Sequence, residues 1–166
     1  MQDFIGGLVD ALRGLPPQAI VFIISALPVL ELRGGVIAGI NILQRPVAEV
    51  FVWAFLGNIA SVTPLLLFLE PLEGVLRRNR ATRFLLDWFF RRAEKRKASV
   101  ERWGYLGLWL FVAIPAPVTG AWTGTAVALL LGLRRGPALA AIYAGVVTAG
   151  FIMTIVAQII KAALGQ

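Results

Sequence analysis

The feature that most constrains this chain is a pair of charged residues inside a long apolar stretch. Between Gln18 and Leu43 the sequence is uncharged except at Glu31 and Arg33. A charged side chain at membrane depth costs roughly 2.5–3.5 kcal/mol on insertion scales, so such residues face a protein interior or a wet cavity and commonly have a function. The stretch therefore predicts a membrane protein with a polar site in its interior.

The composition agrees with a membrane protein. Apolar residues make up 58% of the 166 residues and the mean hydropathy is +0.80, whereas a soluble domain has roughly 45–50% apolar residues. Cysteine and histidine are both absent, which excludes disulfides, thiolate metal sites and imidazole bases. We expect one compact membrane domain, residues 1–166, without a cofactor or a metal.

The positive charge is concentrated in one segment. Ten of the sixteen Lys and Arg residues lie between Arg77 and Arg102, inside the polar segment from Glu70 to Gly104. Aromatic residues on one side and basic residues on the other predict a helix lying in the lipid headgroup layer. A regulatory or partner-binding surface is the alternative. Nucleic-acid binding is not expected, because no RRM, zinc-finger or helix-turn-helix pattern accompanies the charge.

Each part of the apolar stretch around Glu31 is about half as long as a spanning helix. A bilayer core needs about 20 helical residues, but Gln18 to Leu30 has 13 and Gly34 to Leu43 has 10. Pro28 weakens the helix, and Gly34-Gly35 permits a tight turn. We therefore expect a re-entrant helical hairpin with its tip near the midplane of the membrane. The alternative is one long, kinked and tilted helix.

The second half of the chain repeats this theme. The segment from Tyr105 to Leu133 has an apolar arm, a proline turn and a second arm rich in small residues. Ala113-Ile114-Pro115 corresponds to Ala26-Leu27-Pro28. Each second arm contains a G-x-x-x-G pattern, Gly35 to Gly39 and Gly120 to Gly124. Such a pattern favours close packing of helices.

Each hairpin is followed by a run that is long enough to span a bilayer, Val47 to Leu69 and Pro137 to Ala163. An interfacial helix is expected at residues 1–15, where apolar residues recur at helical spacing. The chain is therefore predicted to be an all-α integral membrane protein. Its fold is predicted as an inverted repeat of interfacial helix, re-entrant hairpin and transmembrane helix, with repeats at 1–69 and 70–166.

Charge counts predict the orientation of this multi-pass protein in the cell inner (plasma) membrane. With re-entrant hairpins, three Lys and Arg residues lie on one side and twelve on the other. The positive-inside rule then places the middle basic segment in the cytoplasm and both termini outside. The kinked-helix alternative also gives a split of twelve to three, so only arm length and repeat similarity favour the hairpins.

The candidate site combines the two turns with nearby polar residues. Arg33 supplies a permanent cation that can hold a phosphate or a carboxylate, and Glu31 is the acid best placed to exchange a proton. Burial disfavours the ionised carboxylate and Arg33 favours it, so the sequence leaves its charge open. The predicted substrate- and proton-binding residues are Pro28, Glu31, Arg33, Gly34, Gly35, Asn58, Pro115, Pro117, Thr119, Gly120 and Thr123.

These residues also have a structural interpretation. Glu31 and Arg33 can form a pair that merely neutralises the hairpin tip. Asn58 can make a hydrogen bond between packed helices, and the prolines and threonines of the second loop can serve turn geometry only. Second arms that begin near Gly34 and Gly120 would present unpaired N–H groups and positive dipole ends to a cavity.

The segments LPVLELRGG and AIPAPVTGAWTG, with the basic helix between them, resemble the small multidrug export family, a distant relation of the DedA, or SNARE-associated/VTT, membrane proteins. The resemblance covers most of the chain. It implies two re-entrant hairpins that face each other, often in a dimer. It also implies flipping of polyprenyl-phosphate carriers or scrambling of phospholipids in some members. The residues that match are Glu31, Arg33, Pro115, Pro117, Thr119 and Gly120.

The leading hypothesis is a proton-linked transporter or flippase of a small amphipathic or lipid-like substrate, including phosphate-bearing ones. The alternatives are an exporter of small cationic drugs and a non-transporting membrane-organising protein that acts through its basic aromatic helix. An enzyme is not expected, because no histidine, cysteine, paired-carboxylate, H-E-x-x-H or G-x-x-x-x-G-K constellation is present. The expected partners are membrane lipids, the substrate and a second copy of the chain.

Overall fold

The computed structural model describes residues 2–76, 78–115 and 119–163, and every regular element in these ranges is a helix. The α-helices are α1 (Gln2–Ala11), α2 (Pro17–Ala26), α3 (Glu31–Ile37), α4 (Val47–Leu76), α5 (Arg80–Glu94), α6 (Lys97–Glu101), α7 (Gly104–Ala113), α8 (Ala121–Leu130) and α9 (Arg135–Ala163). A short π-helix, Ala38–Ile42, continues α3. The chain is therefore all-helical over the ranges described, as its composition predicts.

The chain divides into two compact units, and each is described by itself. The first unit joins Met1–Ser61 to Val146–Gln166, and the second is Val62–Gly145. Both boundaries fall inside a long helix, so α4 and α9 each contribute one part to each unit. The single domain with repeats at 1–69 and 70–166 stays a prediction.

In the first unit, α1 contributes to the core. Ile5 and Val9, one turn apart, are buried in one cluster with Ile20 and Ile24 of α2, whereas Phe4 is 65% exposed. Residues spaced by four lie on one face of a helix, so the apolar face of α1 covers α2. The helix expected at residues 1–15 is present, and part of its apolar face is buried by protein.

The arms α2 and α3 pack against each other as a hairpin. A Cβ on Gly34 would lie 3.3 Å from Cγ2 of Ile24, and one on Gly39 would lie 3.1 Å from Cγ2 of Val21. As the contacts advance along the second arm they move backward along α2, so the two arms are antiparallel. One continuous kinked helix would hold residues 21 and 39 about 27 Å apart. The depth of this hairpin in a membrane stays a prediction.

Two helices are long and apolar enough to cross a membrane. They include the segments Val47–Leu69 of α4 and Arg135–Ile160 of α9. In the first unit the rings of Phe51 and Phe151, one from each helix, have centroids 5.1 Å apart. The two spans predicted from the sequence coincide with these segments apart from a few residues at the ends.

The polar middle segment folds differently from the prediction. α4 continues to Leu76, and the segment then forms two helices, α5 and α6, rather than one. Leu86, Phe89 and Ala93 of α5 are buried, and the Phe89 ring meets the Trp122 ring of α8 edge to face at 6.3 Å. Protein thus covers part of the apolar face of α5, whereas Phe84 is 65% exposed, and the position of this segment in the headgroup layer stays a prediction.

In the second unit, α8 packs against α7 next to the turn that joins them. A Cβ on Gly124 would lie 2.7 Å from Cγ2 of Val112 and 3.4 Å from Cδ1 of Leu108. Gly145 of α9 packs against the same arm, because its Cβ would lie 2.6 Å from Cβ of Val112. Glycines thus allow α8 and α9 to approach α7 closely.

Candidate functional site

The candidate site of the first unit is built on the turn that joins α2 to α3. Leu27 has an extended backbone, with φ −73° and ψ 138°, as expected for a residue before proline. Pro28 lies exposed in the turn, where its missing N–H cannot continue α2. The Glu31 N–H donates to the Leu27 carbonyl at 2.9 Å and closes the turn. The turn thus places Glu31 at the start of α3.

Glu31 is held in a strained backbone conformation. Its φ is +52°, in the left-handed region that costs a residue with a Cβ of order 1 kcal/mol or more. Its side chain is nevertheless buried, with 7% of the residue exposed. Glycine would adopt this backbone at lower cost, so the surrounding packing holds the glutamate in place. Backbone strain of this kind clusters at functional sites.

Glu31 and Arg33 are brought together, as predicted. Arg33 Nη2 lies 3.9 Å from Glu31 Oε2, and the two side chains are 21% and 9% exposed. This separation is longer than the roughly 2.8 Å of a charge-assisted hydrogen bond. The pair lowers the cost of holding a charge in apolar surroundings.

The adjacent glycines do not form the turn, which corrects the sequence prediction. Gly34 and Gly35 lie inside α3 and are buried. A Cβ on Gly35 would collide with the Ser25 hydroxyl and lie 3.0 Å from the Val21 carbonyl oxygen. The glycines therefore allow α3 to pack on α2, and the second arm begins at Glu31 rather than at Gly34. Pro28, in the preceding turn, is the residue that interrupts the helix.

Two further polar side chains are buried in the first unit. Asn58 of α4 is 1% exposed and Ser25 of α2 is 0% exposed. The side-chain oxygen atoms of both have no hydrogen-bond partner among the described residues. A buried polar atom without a partner costs roughly 1–3 kcal/mol, which a hydrogen bond to a bound water or ligand would reduce. The predicted role of Asn58 in substrate binding stays a prediction.

Ser25 was missed by the sequence analysis. Its hydroxyl contacts the position of Gly35, which lies one helical turn after Glu31 and hence on the same side of α3. The signal was present, because Ser25 is the only polar residue between Gln18 and Glu31. Serine in a membrane helix is commonly a packing residue, so the sequence alone did not distinguish it from the small residues around it.

The second unit holds the predicted residues of the second turn. The Thr119 hydroxyl donates to the Ile114 carbonyl at 2.7 Å, which joins the two ends of the turn. Gly120 precedes α8 with φ +143°, a conformation open almost only to glycine. Pro115 is partly buried, and Pro117 lies outside the described residues. These contacts agree with the turn-geometry alternative for Thr119 and Gly120.

Thr123 lies in α8, one turn after the second turn. It is 7% exposed and is followed by Gly124, which packs on α7. The two turns belong to different units, so their meeting at one site stays a prediction. In the first unit the structure brings Glu31 and Arg33 together.

The charged pair of the first unit combines one acid with one permanent cation. Among the described residues, no group of three or more His, Cys, Asp or Glu side chains is placed to hold a metal ion. A buried carboxylate can take up a proton, and a buried guanidinium stays cationic.

Comparison with known proteins identifies one family. A family model described as "Putative small multi-drug export protein" matches residues 31–152. The match starts at Glu31, directly after the turn that joins α2 to α3, includes the second turn and ends inside α9. Searches of curated proteins and of solved structures found no match.

Proposed function

Because the chain belongs to the small multidrug export family, we propose that it is a membrane transporter that exports a small amphipathic substrate in exchange for protons. The segments Val47–Leu69 and Arg135–Ile160 are long and apolar enough to cross a membrane. The family match and these two helices together support export across a membrane. The proton coupling and the substrate class are inferred from the site.

The observation that carries the proposal is the buried Glu31 carboxylate beside Arg33. An ionisable residue in apolar surroundings is costly, and a chain without a use for it would gain stability from an apolar residue. Glu31 is in addition held in a left-handed backbone, which is a second cost at the same residue. Because both the burial of its carboxylate and its backbone conformation cost free energy, Glu31 is a candidate for a functional role. Competition between proton and substrate at Glu31 would couple their movements.

The chemistry of the Glu31 and Arg33 pair suggests two classes of substrate. Arg33 favours an anionic group such as phosphate, while the apolar helices around it favour an apolar body. A phosphate-bearing or lipid-like amphiphile is therefore our first candidate. The family description favours the second candidate, a small cationic drug, which would bind the Glu31 carboxylate when the proton leaves.

We further propose that the hairpin of α2 and α3 is re-entrant. α2 has 10 residues, about 15 Å of helix, which is half of a hydrocarbon core of roughly 30 Å. Val29, at the tip of the turn, is 78% exposed. An exposed apolar tip is favourable within lipid and unfavourable in water. If α7 and α8 form a second re-entrant hairpin, each half of the chain crosses the membrane once and the two halves form an inverted repeat. The positive-inside rule then places the basic segment in the cytoplasm.

Single cysteines test the re-entrant arrangement. The chain has no cysteine, so Gln18→Cys and Gln44→Cys variants each carry one reactive thiol. We expect an impermeant maleimide to label both positions from the same side of the membrane. Asn79→Cys is the control, because α4 places it opposite Gln44 whether or not the hairpin is re-entrant. Labelling of Gln18→Cys and Gln44→Cys from opposite sides would contradict the arrangement.

Transport in proteoliposomes tests the function itself. With an imposed pH gradient, we expect vesicles that contain the wild-type chain to move a fluorescent phosphate-bearing amphiphile or a lipophilic cationic dye faster than protein-free vesicles. A protonophore should remove this difference. A rate equal to that of protein-free vesicles for both compounds would count against transport. Transport that the protonophore does not change would count against proton coupling alone.

A further inference from the structure

An apolar groove runs along one face of α7 in the second unit. Its lining includes Trp103, Gly107, Leu110, Phe111 and Ile114, which are spaced by four, three, one and three residues. Residues at this spacing share one face of a helix. The cavity has a volume of about 290 Å³. The groove is thus a continuous feature of the helix and not a gap between scattered side chains.

The groove is apolar and exposed, and its length is close to the thickness of one leaflet of a membrane. Trp103 is 56% exposed, Leu110 40% and Ile114 54%, and Gly107 contributes no side chain. From residue 103 to residue 114 the helical rise is about 16 Å, close to half of a hydrocarbon core of roughly 30 Å. A single acyl chain of a membrane lipid has the shape and polarity that this groove fits.

The lining of the groove includes one cationic residue. Arg96 lines it and also lines a neighbouring cavity of about 830 Å³. The other residues around that second cavity are Trp88, Arg91, Arg92, Glu94 and Lys95. The lining of the second cavity thus carries four cationic side chains and one carboxylate, and the Arg92 guanidinium lies over the Trp88 ring at 5.2 Å. Arginine and lysine beside an apolar groove complement a phosphate group.

We propose that the second unit binds one anionic phospholipid, with its phosphate at Arg96 and the neighbouring cations and one acyl chain along α7 to Ile114. Charge complementarity selects the headgroup, and the apolar groove that Arg96 lines together with Leu110 and Ile114 selects a lipid over a free phosphate. The proposal does not depend on transport, because it concerns a bound lipid in the second unit and not the site at Glu31.

Native mass spectrometry of the delipidated full chain tests this site. The protein is incubated in detergent with equal amounts of phosphatidylglycerol and phosphatidylcholine that carry the same acyl chains. We expect one phosphatidylglycerol to be retained in preference to phosphatidylcholine. Arg96→Gln should lower this preference about fivefold, since one basic residue near an anionic lipid contributes about that factor. Leu110→Gln should lower retention of both lipids and leave their ratio unchanged.

Matched controls separate the site from general effects of charge and polarity. Arg80→Gln removes the same charge from an exposed position on α5 outside both cavities. Leu106→Gln makes the same change on α7 at a residue that is 50% exposed and outside the groove. Both controls should retain lipid as the wild type does. Ile114→Gln replaces Leu110→Gln if the latter elutes as an aggregate in size-exclusion chromatography.

Three results would overturn the proposal. The first is equal retention of the two lipids by the wild type. The second is an Arg96→Gln variant that behaves as Arg80→Gln does, or groove variants that behave as Leu106→Gln does. The third is displacement of phosphatidylglycerol by an excess of glycerol phosphate, which carries the headgroup chemistry without a chain. Retention in the presence of glycerol phosphate supports the acyl-chain groove.

Discussion

Replacing Gly57 by alanine is expected to destabilise the protein by about 1–2 kcal/mol, although alanine is the better helix former. The added Cβ would overlap the carbonyl carbon and oxygen of Phe22, because α4 crosses α2 at this glycine. A backbone group cannot rotate away as a flexible side chain can. Overpacking of this kind typically costs about 1–3 kcal/mol, occasionally more, and the gain in helix propensity offsets at most about 1 kcal/mol.

The measurement is reversible unfolding in mixed micelles, followed by the fluorescence of the five tryptophans. Gly7→Ala in α1 is the matched control, because a Cβ there would meet nothing within 4 Å. It should be neutral or stabilise the protein by up to about 1 kcal/mol. Equal stability of the two variants would show that the crossing of α2 and α4 is looser than the structure gives.

The sequence predicts the elements whose signal is length and composition. The spans in α4 and α9 are recognisable because an apolar run of more than 20 residues has few other uses. The hairpin arms are recognisable because each is too short to cross a bilayer. The closeness of Glu31 to Arg33 is expected because both charges lie within three residues in an otherwise apolar stretch. These features are local, so the chain carries their signal without knowledge of its tertiary contacts.

The sequence does not predict features that depend on which faces meet. Gly34-Gly35 reads as a turn because glycine permits turns, but the same residue also permits close approach of α3 to Ser25. The choice between these uses is made by packing. Likewise Phe84 and Phe89 read as one aromatic side of a helix, yet Phe84 is 65% exposed and Phe89 8%. Only the position of α8 shows which of them is covered.

Replacing Glu31 by glutamine is expected to abolish proton-linked transport while the protein remains folded. Glutamine has nearly the shape of glutamate and still accepts a hydrogen bond, but it cannot release a proton. It also removes the negative charge 3.9 Å from Arg33. Transport driven by a pH gradient should therefore fall to the rate of protein-free vesicles, and size-exclusion chromatography should show the elution volume of the wild type.

Arg33→Gln and the double variant separate a transport role of Glu31 from a purely structural pair. If the pair only neutralises charge, each single variant leaves one partner uncompensated and loses stability, the double variant recovers it, and transport per folded molecule stays constant. If Glu31 exchanges the proton, Glu31→Gln and the double variant are both inactive however stable they are. Arg33→Gln then keeps proton coupling, because the carboxylate remains, and it loses preference for the phosphate-bearing amphiphile over the cationic dye. Transport by a well-folded Glu31→Gln variant at the wild-type rate would remove Glu31 from the mechanism.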